Sequence, residues 1–153
     1  MINRGKKLYT DGSKTDHGIG FGVFGEFNTS KRLWNHATIF QAEALAINFT
    51  AKQIIKEKIK NNKINIFSDS QSVVLKALQN NKITKTIFNC IQNLEKAGEN
   101  NDITITWIPR HEGHEENEQA DSLAKKAAGD YEKCHINDTI NKPQKLRSGF
   151  IRN

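Results

Sequence analysis

Residues 18–23 read Gly18-Ile19-Gly20-Phe21-Gly22-Val23. Apolar side chains alternate with glycine at a period of two, the repeat of a β-strand rather than a helix. The apolar half can face a core. The glycine half leaves a bare surface, as where another group comes close to a sheet. Working outward, Leu8-Tyr9-Thr10-Asp11 reads as a short strand ending at Gly12. On the other side Asn28-Thr29-Ser30 is a turn signal, and Lys31 to His36 reads as a returning strand. Three consecutive antiparallel strands are expected.

The pattern then changes period. From Gln41 to about Lys60, Ala44, Ile47, Ala51, Ile54 and Ile55 recur at helical spacing, and the same stretch carries Lys52, Lys56, Lys58 and Lys60. Ile64-Asn65-Ile66-Phe67 is a short apolar strand, stopped by Ser68-Asp69-Ser70. Val73 to Leu78 reads as a helix broken at Gln79-Asn80-Asn81. Ile83 to about Ala97 reads as another, with Gly98 just past its end. Ile103, Ile105 and Trp107 alternate as a further strand. Glu115 and Glu116 open an acid-rich helical turn, which suits the helix dipole. Ala120, Leu123, Ala124 and Ala127 form its apolar stripe, and Gly129 ends it. The order β-β-β-α-β-α-α-β-α predicts an α/β fold, a mixed sheet flanked by helices. Residues 1–129 form the expected domain. Residues 130–153 carry Lys133, Lys142, Lys145, Arg147 and Arg152 and few apolar side chains, and are expected to form a basic, flexible tail.

A chain of 153 residues is long enough to bury a real core. Hydrophobic residues make up 36% and charged residues 26%, too balanced for a disordered chain. The net charge of +6 favours a polyanionic partner, nucleic acid ahead of an acidic membrane surface. Cys90 and Cys134 stand far apart, which excludes a disulfide framework or a metal knuckle and reads as two free thiols. No apolar run approaches the length of a membrane span, and residues 1–7 lack an apolar signal core. A soluble, intracellular protein, cytoplasmic or nuclear, is expected.

Four acids stand in unusual company. Asp11 closes an apolar strand, Glu43 lies in the first turn of a helix among small and apolar residues, Asp69 follows a buried strand, and Asp121 lies within an apolar stripe. Each has an ordinary explanation. Asp69 can cap the following segment, Asp121 can pair with Lys125 one turn on, and Glu43 suits a helix N-terminus. Together these explanations leave several acids near the middle of a sheet with no fixed cation. Like charges held so close demand protons or metal ions in compensation. Oxygen-only ligands favour a hard cation, Mg²⁺ or Mn²⁺, over zinc. Paired hard cations suit phosphodiester cleavage, one activating water and the other stabilising the leaving oxygen.

Read as strings, the segments are Tyr9-Thr10-Asp11-Gly12-Ser13, Gln41-Ala42-Glu43-Ala44-Leu45-Ala46, Phe67-Ser68-Asp69-Ser70-Gln71 and Trp107-Ile108-Pro109-Arg110-His111-Glu112-Gly113-His114, continuing through Asn117 to Ala120-Asp121. Over roughly residues 6–129 the chain closely resembles type 1 ribonuclease H, in the form carried by reverse-transcriptase-encoding elements. That resemblance implies an RNase H-like fold with a five-stranded mixed sheet. It implies an endonuclease that hydrolyses the RNA of RNA–DNA hybrids with two Mg²⁺ ions, Mn²⁺ as a substitute, leaving 5′-phosphate and 3′-hydroxyl ends. Asp11 would bridge both ions, Asp121 would complete the water-activating site, and Glu43 and Asp69 would complete the other. His111 would assist proton movement or product release. Gly12, Ser13, Thr38, Gln71 and Asn117 would bind substrate, Asn117 touching the RNA strand and Ser13 and Gln71 lying near the ribose 2′-hydroxyls. A monomer is expected, with an upstream reverse transcriptase domain as candidate partner.

The chain departs from its relatives in places. Arg110 stands where many have glycine, and Glu112 adds a negative charge beside His111. Ile39-Phe40 replaces a polar pair that helps hold a DNA-strand phosphate in bacterial relatives, leaving Thr38 to keep part of that role. Only Gln79-Asn80-Asn81-Lys82 separates the two middle helices, so the extra basic helix common there is missing, with Lys82, Lys85 and the basic tail as electrostatic substitutes. Two other functions compete. A transposase or integrase core has a different acid order and lacks the 111–117 string. A hybrid-binding module without catalysis would not need all four carboxylates.

Overall fold

A computed structural model describes residues 5–69, 84–109 and 115–129. Eight elements are described: β1 (Lys6–Thr15), β2 (Gly18–Gly25), β3 (Thr29–Arg32), α1 (Ile39–Lys56), β4 (Lys63–Ser68), α2 (Lys85–Gly98), β5 (Asp102–Trp107) and α3 (Glu115–Ala127). The strands form one five-stranded sheet in the order β3-β2-β1-β4-β5. The pairs β1/β2 and β2/β3 are antiparallel. The pairs β1/β4 and β4/β5 are parallel, as the change from hairpins to helix crossovers requires.

The glycine alternation in β2 divides the molecule into layers. Ile19, Phe21 and Val23 face the main core with Leu8, Ile64 and Ile66 of the sheet, Ile47 and Ile54 of α1, and Ile87 and Cys90 of α2. Each such fully buried isoleucine contributes roughly 1.5–3 kcal/mol of transfer free energy. Burial pushes the Cys90 thiol up to about 12, far from reactive thiolate chemistry. On the opposite face α3 lies directly on the glycines. A Cβ at Gly22 would stand 2.6 Å from Ala124 N and 2.7 Å from Leu123 Cβ. The backbone of α3 can approach the sheet this closely only because β2 has no side chain there.

Several boundaries differ from the sequence expectation. The first strand does not end at Gly12 but runs on to Thr15, because β2 pairs with it through Thr15↔Gly18. The third strand stops at Arg32, because Leu33 turns into the core. Helix α1 starts at Ile39, where Thr38 and Gln41 form a capping box: the Thr38 hydroxyl accepts from Gln41 N at 3.1 Å, and Thr38 N donates to Gln41 Oε1 at 2.9 Å. Glu43 therefore stands in the second turn, not the first. The helix stops at Lys56 rather than near Lys60, because Lys58 and Asn61 adopt φ of 54° and 58°. Gly98 is the last residue of α2 rather than a left-handed residue beyond it, and Glu99 caps that helix in a right-handed conformation. Gly129, at φ 97°, does end α3 as expected. The expected helix at 73–78 and the tail 130–153 lie outside the described residues. Among the described residues, no helix is long and apolar enough to cross a membrane.

Candidate active site

The site forms at a step in the sheet. The last paired residues of β1 and β4 are Thr10 and Ser68. Beyond them β1 continues alone on that side, and Asp69 follows the end of β4. The next residue on β1 is Asp11, so the two acids stand beside each other at the carboxyl end of a parallel strand, where α/β sheets open a crevice.

Asp11 and Gly12 point to opposite faces, as consecutive strand residues must. Asp11 is opposite Gly22 in the β1/β2 ladder, so its side chain shares the face covered by α3. Gly12 faces α1: a Cβ there would lie 2.8 Å from Glu43 Cγ and 3.1 Å from Glu43 N. Glycine at this position admits α1 against β1 and brings Glu43 to the step. Because β4 has ended, no strand among the described residues separates the two layers here. Asp11, Glu43 and Asp69 each offer one carboxylate oxygen, and the three oxygens lie within 4.8 Å of one another.

The electrostatics of this trio are strained. Asp11 is 2% exposed and Asp69 7%. Burial first, then the neighbouring charges of Asp69 and Asp121, hold the Asp11 carboxyl far above the ordinary carboxylate range. Asp11 Oδ1 accepts from Gly12 N at 2.9 Å. Asp11 Oδ2 is buried with no hydrogen-bond partner among the described residues. A bound cation relieves both problems, the repulsion and the unpartnered oxygen. An all-oxygen donor set of this size fits a hard divalent cation.

Asp121 reaches the cluster from α3, close enough to add to the shift at Asp11 but outside the tight trio. It also pairs with Lys125 one turn on, at 2.8 Å. Asp121 thus both pairs with Lys125 and stands near Asp11. Ser13 is on β1, opposite Gly20. Thr38 is the N-cap of α1, its hydroxyl engaged with Gln41, while Ile39 beside it is 43% exposed. Asn117 is buried in the first turn of α3 and bonds to Asp69. Gln71 and His111, with Lys82, Arg110, Glu112, His114 and Cys134, lie outside the described residues.

The capping residue Gln41 escaped the sequence reading, although the Thr-x-x-Gln spacing from Thr38 is itself a signal. The contact from Asn117 to Asp69 left no comparable trace. A cavity of about 320 Å³ bounded by Phe21, Lys31, Leu45 and Phe49 is lined by none of the acids and lies apart from this chemistry.

The five-stranded sheet in this order, with helices on both faces and acids at the step, defines an RNase H-like fold. Solved structures share it, two of them as follows. RNase H1 from the halophilic archaeon Halobacterium salinarum NRC-1 aligns with a TM-score of 0.61 at 22% identity, over 81% of this chain and 97% of that one. LC11-RNase H1, isolated from compost by a metagenomic approach, aligns at 0.63 and 19%, over 84% and 96%. The chain belongs to the RNase H family, which matches residues 3–129. Ribonuclease H from two strains of Tropheryma whipplei, Twist and TW08/27, is 29% identical over 116 residues, a match covering 64% of this chain and 66% of those proteins.

Proposed function

We propose that this protein is an endoribonuclease that hydrolyses the RNA strand of RNA–DNA hybrids, leaving 5′-phosphate and 3′-hydroxyl ends. The observation that carries this reading is the acid trio of buried Asp11 and Asp69 with partly buried Glu43, with its unpartnered Asp11 oxygen, on the fold of the RNase H family. Asp11, Glu43, Asp69 and Asp121 hold two divalent cations, Mg²⁺ or Mn²⁺. When bound, the cations supply charge that activates water and stabilises the leaving oxygen. The water oxygen bonds to phosphorus, the bond from phosphorus to the ribose 3′-oxygen breaks, and a proton ends on that oxygen.

The chain's own residues set this up. Gly12 lets α1 seat Glu43 beside Asp11. The β1/β4 ladder fixes the register of Asp11 and Asp69. Lys125 orients Asp121. His111 assists proton movement or product release. Gly12, Ser13, Thr38 and Gln71 contact substrate, in line with the family pattern. Residues 1–129 form the catalytic unit and 130–153 a basic tail that adds attraction for the phosphate backbone. The motif strings favour the retroelement type, with a reverse transcriptase domain as upstream partner.

Incubating labelled hybrid, duplex DNA and duplex RNA with wild type and Asp69→Asn, with and without Mg²⁺, tests the reading. Wild type is expected to cut only the RNA of the hybrid, and only with metal. The variant is expected to lose on the order of 10³-fold in rate. Equal rates for wild type and Asp69→Asn would sink it.

A further inference from the structure

Asn117 stands among acids that face water. Glu115, Glu116 and Glu118 are exposed in the first turn of α3, while Asn117 is 6% exposed. Its Nδ2 donates to Asp69 Oδ2 at 3.3 Å. Its Oδ1 is buried with no hydrogen-bond partner among the described residues. The amide cannot be turned over, because that would set Oδ1 against a carboxylate oxygen. Asn117 and Asp121 are one helical turn apart and share a face. Helix α3 therefore reaches the cluster twice, at Asp69 through Asn117 and beside Asp11 through Asp121.

We propose that Asn117 is a positioning residue for the metal site: its amide holds the Asp69 carboxylate in the orientation in which it joins Asp11 and Glu43 as an oxygen donor to a divalent cation. The proposal rests on the metal-dependent nuclease reading above, and it replaces the role of RNA contact that the family resemblance implies for this residue. A carboxylate at the end of a strand turns freely about its last bond, and neighbouring acids push it away from the cluster. A lysine or arginine would hold it but would bring a full positive charge that competes with the cation. An amide N–H holds it without adding charge, by engaging Oδ2. Burial to 6% also leaves Asn117 little surface to offer a nucleic-acid strand.

The test is a calorimetric titration of Mg²⁺ and Mn²⁺ into metal-free wild type, Asn117→Ala and the near-isosteric Asn117→Leu, each checked for folding by circular dichroism. Steady-state kinetics on the hybrid over a range of metal concentrations accompany it. Cation affinity is expected to fall roughly 10- to 100-fold in both variants, as for other residues that orient metal ligands. The lost kcat is expected to recover as metal is raised, with KM for the hybrid unchanged at saturating metal. Wild-type cation affinity in either folded variant, or a raised KM with unchanged cation affinity, overturns the proposal and restores RNA contact. Absence of cation binding by wild type itself overturns the nuclease reading beneath it, so the two failures are told apart.

Discussion

The two sides of the acid cluster are built by different means. On one side, Asp11 and Asp69 directly follow the last rung of the ladder of two parallel strands and are almost wholly buried. On the other, Asp121 projects from a helix, is partly exposed, and shares its charge with Lys125. A strand ladder can force like charges together, because its register is set by many hydrogen bonds outside the site. A helix face resting on glycines cannot exert such force. It presents its acid with a counter-ion already attached.

The largest expected difference follows from that contrast. Asp11→Asn should lower hydrolysis by on the order of 10³-fold or more while stabilising the metal-free protein near neutral pH. The Asp11 carboxyl is raised above its unfolded value, so its contribution to stability is complete below the ordinary carboxylate range. That contribution is lost as pH rises toward the folded value. Melting of the metal-free wild type in chelator should therefore drop as pH climbs from about 4 toward 9, and Asp11→Asn should flatten the curve. Asp121→Asn should keep most of the slope, since burial, the first cause of the shift, remains. If the two variants flatten the profile equally, the contrast between the two sides is wrong.

Next in size is the seating of the helix. Gly22→Ala drives a methyl into the backbone of α3 and should cost roughly 1–3 kcal/mol in urea unfolding. Gly98→Ala, where nothing lies within 4 Å, is the matched control. It should be neutral or stabilising by up to about 1 kcal/mol, because alanine suits a helix better than glycine. Equal losses at both positions would mean that α3 does not press on the sheet.

Smallest is the counter-ion. Lys125→Ala should change stability by only about 0.3–0.5 kcal/mol, the range of helical pairs one turn apart. The same denaturation assay reads it. A loss of several kcal/mol would show Asp121 to be as tightly held as the ladder acids.

Much of this architecture can be read from residue order. The glycine alternation of β2 announces both a strand and the close approach of α3, since periodicity reports which side chains share a face. The acids stand out because each lies among apolar or small neighbours. What periodicity cannot give is where elements stop. The continuation of β1 past Gly12 depends on its partner β2, the early end of β3 on Leu33 turning inward, and the end of α1 on two left-handed residues. The contact from Asn117 to Asp69 joins positions 48 apart in the chain, and no local pattern records a bond of that kind. The motif strings place His111 and Gln71 in the site by resemblance alone.

The step where β4 stops short of β1 has a consequence for how the chain tolerates insertions. Successive strand residues turn to alternate faces, so one residue added between Phe67 and Asp69 would swing the Asp69 carboxylate to the other side of the sheet. The same insertion beyond Gly129, outside the strand ladder, would leave that register untouched. The reaction centre is thus measured out by counting residues along two neighbouring strands. Its tolerance for length change is zero at the very point where the sheet looks unfinished.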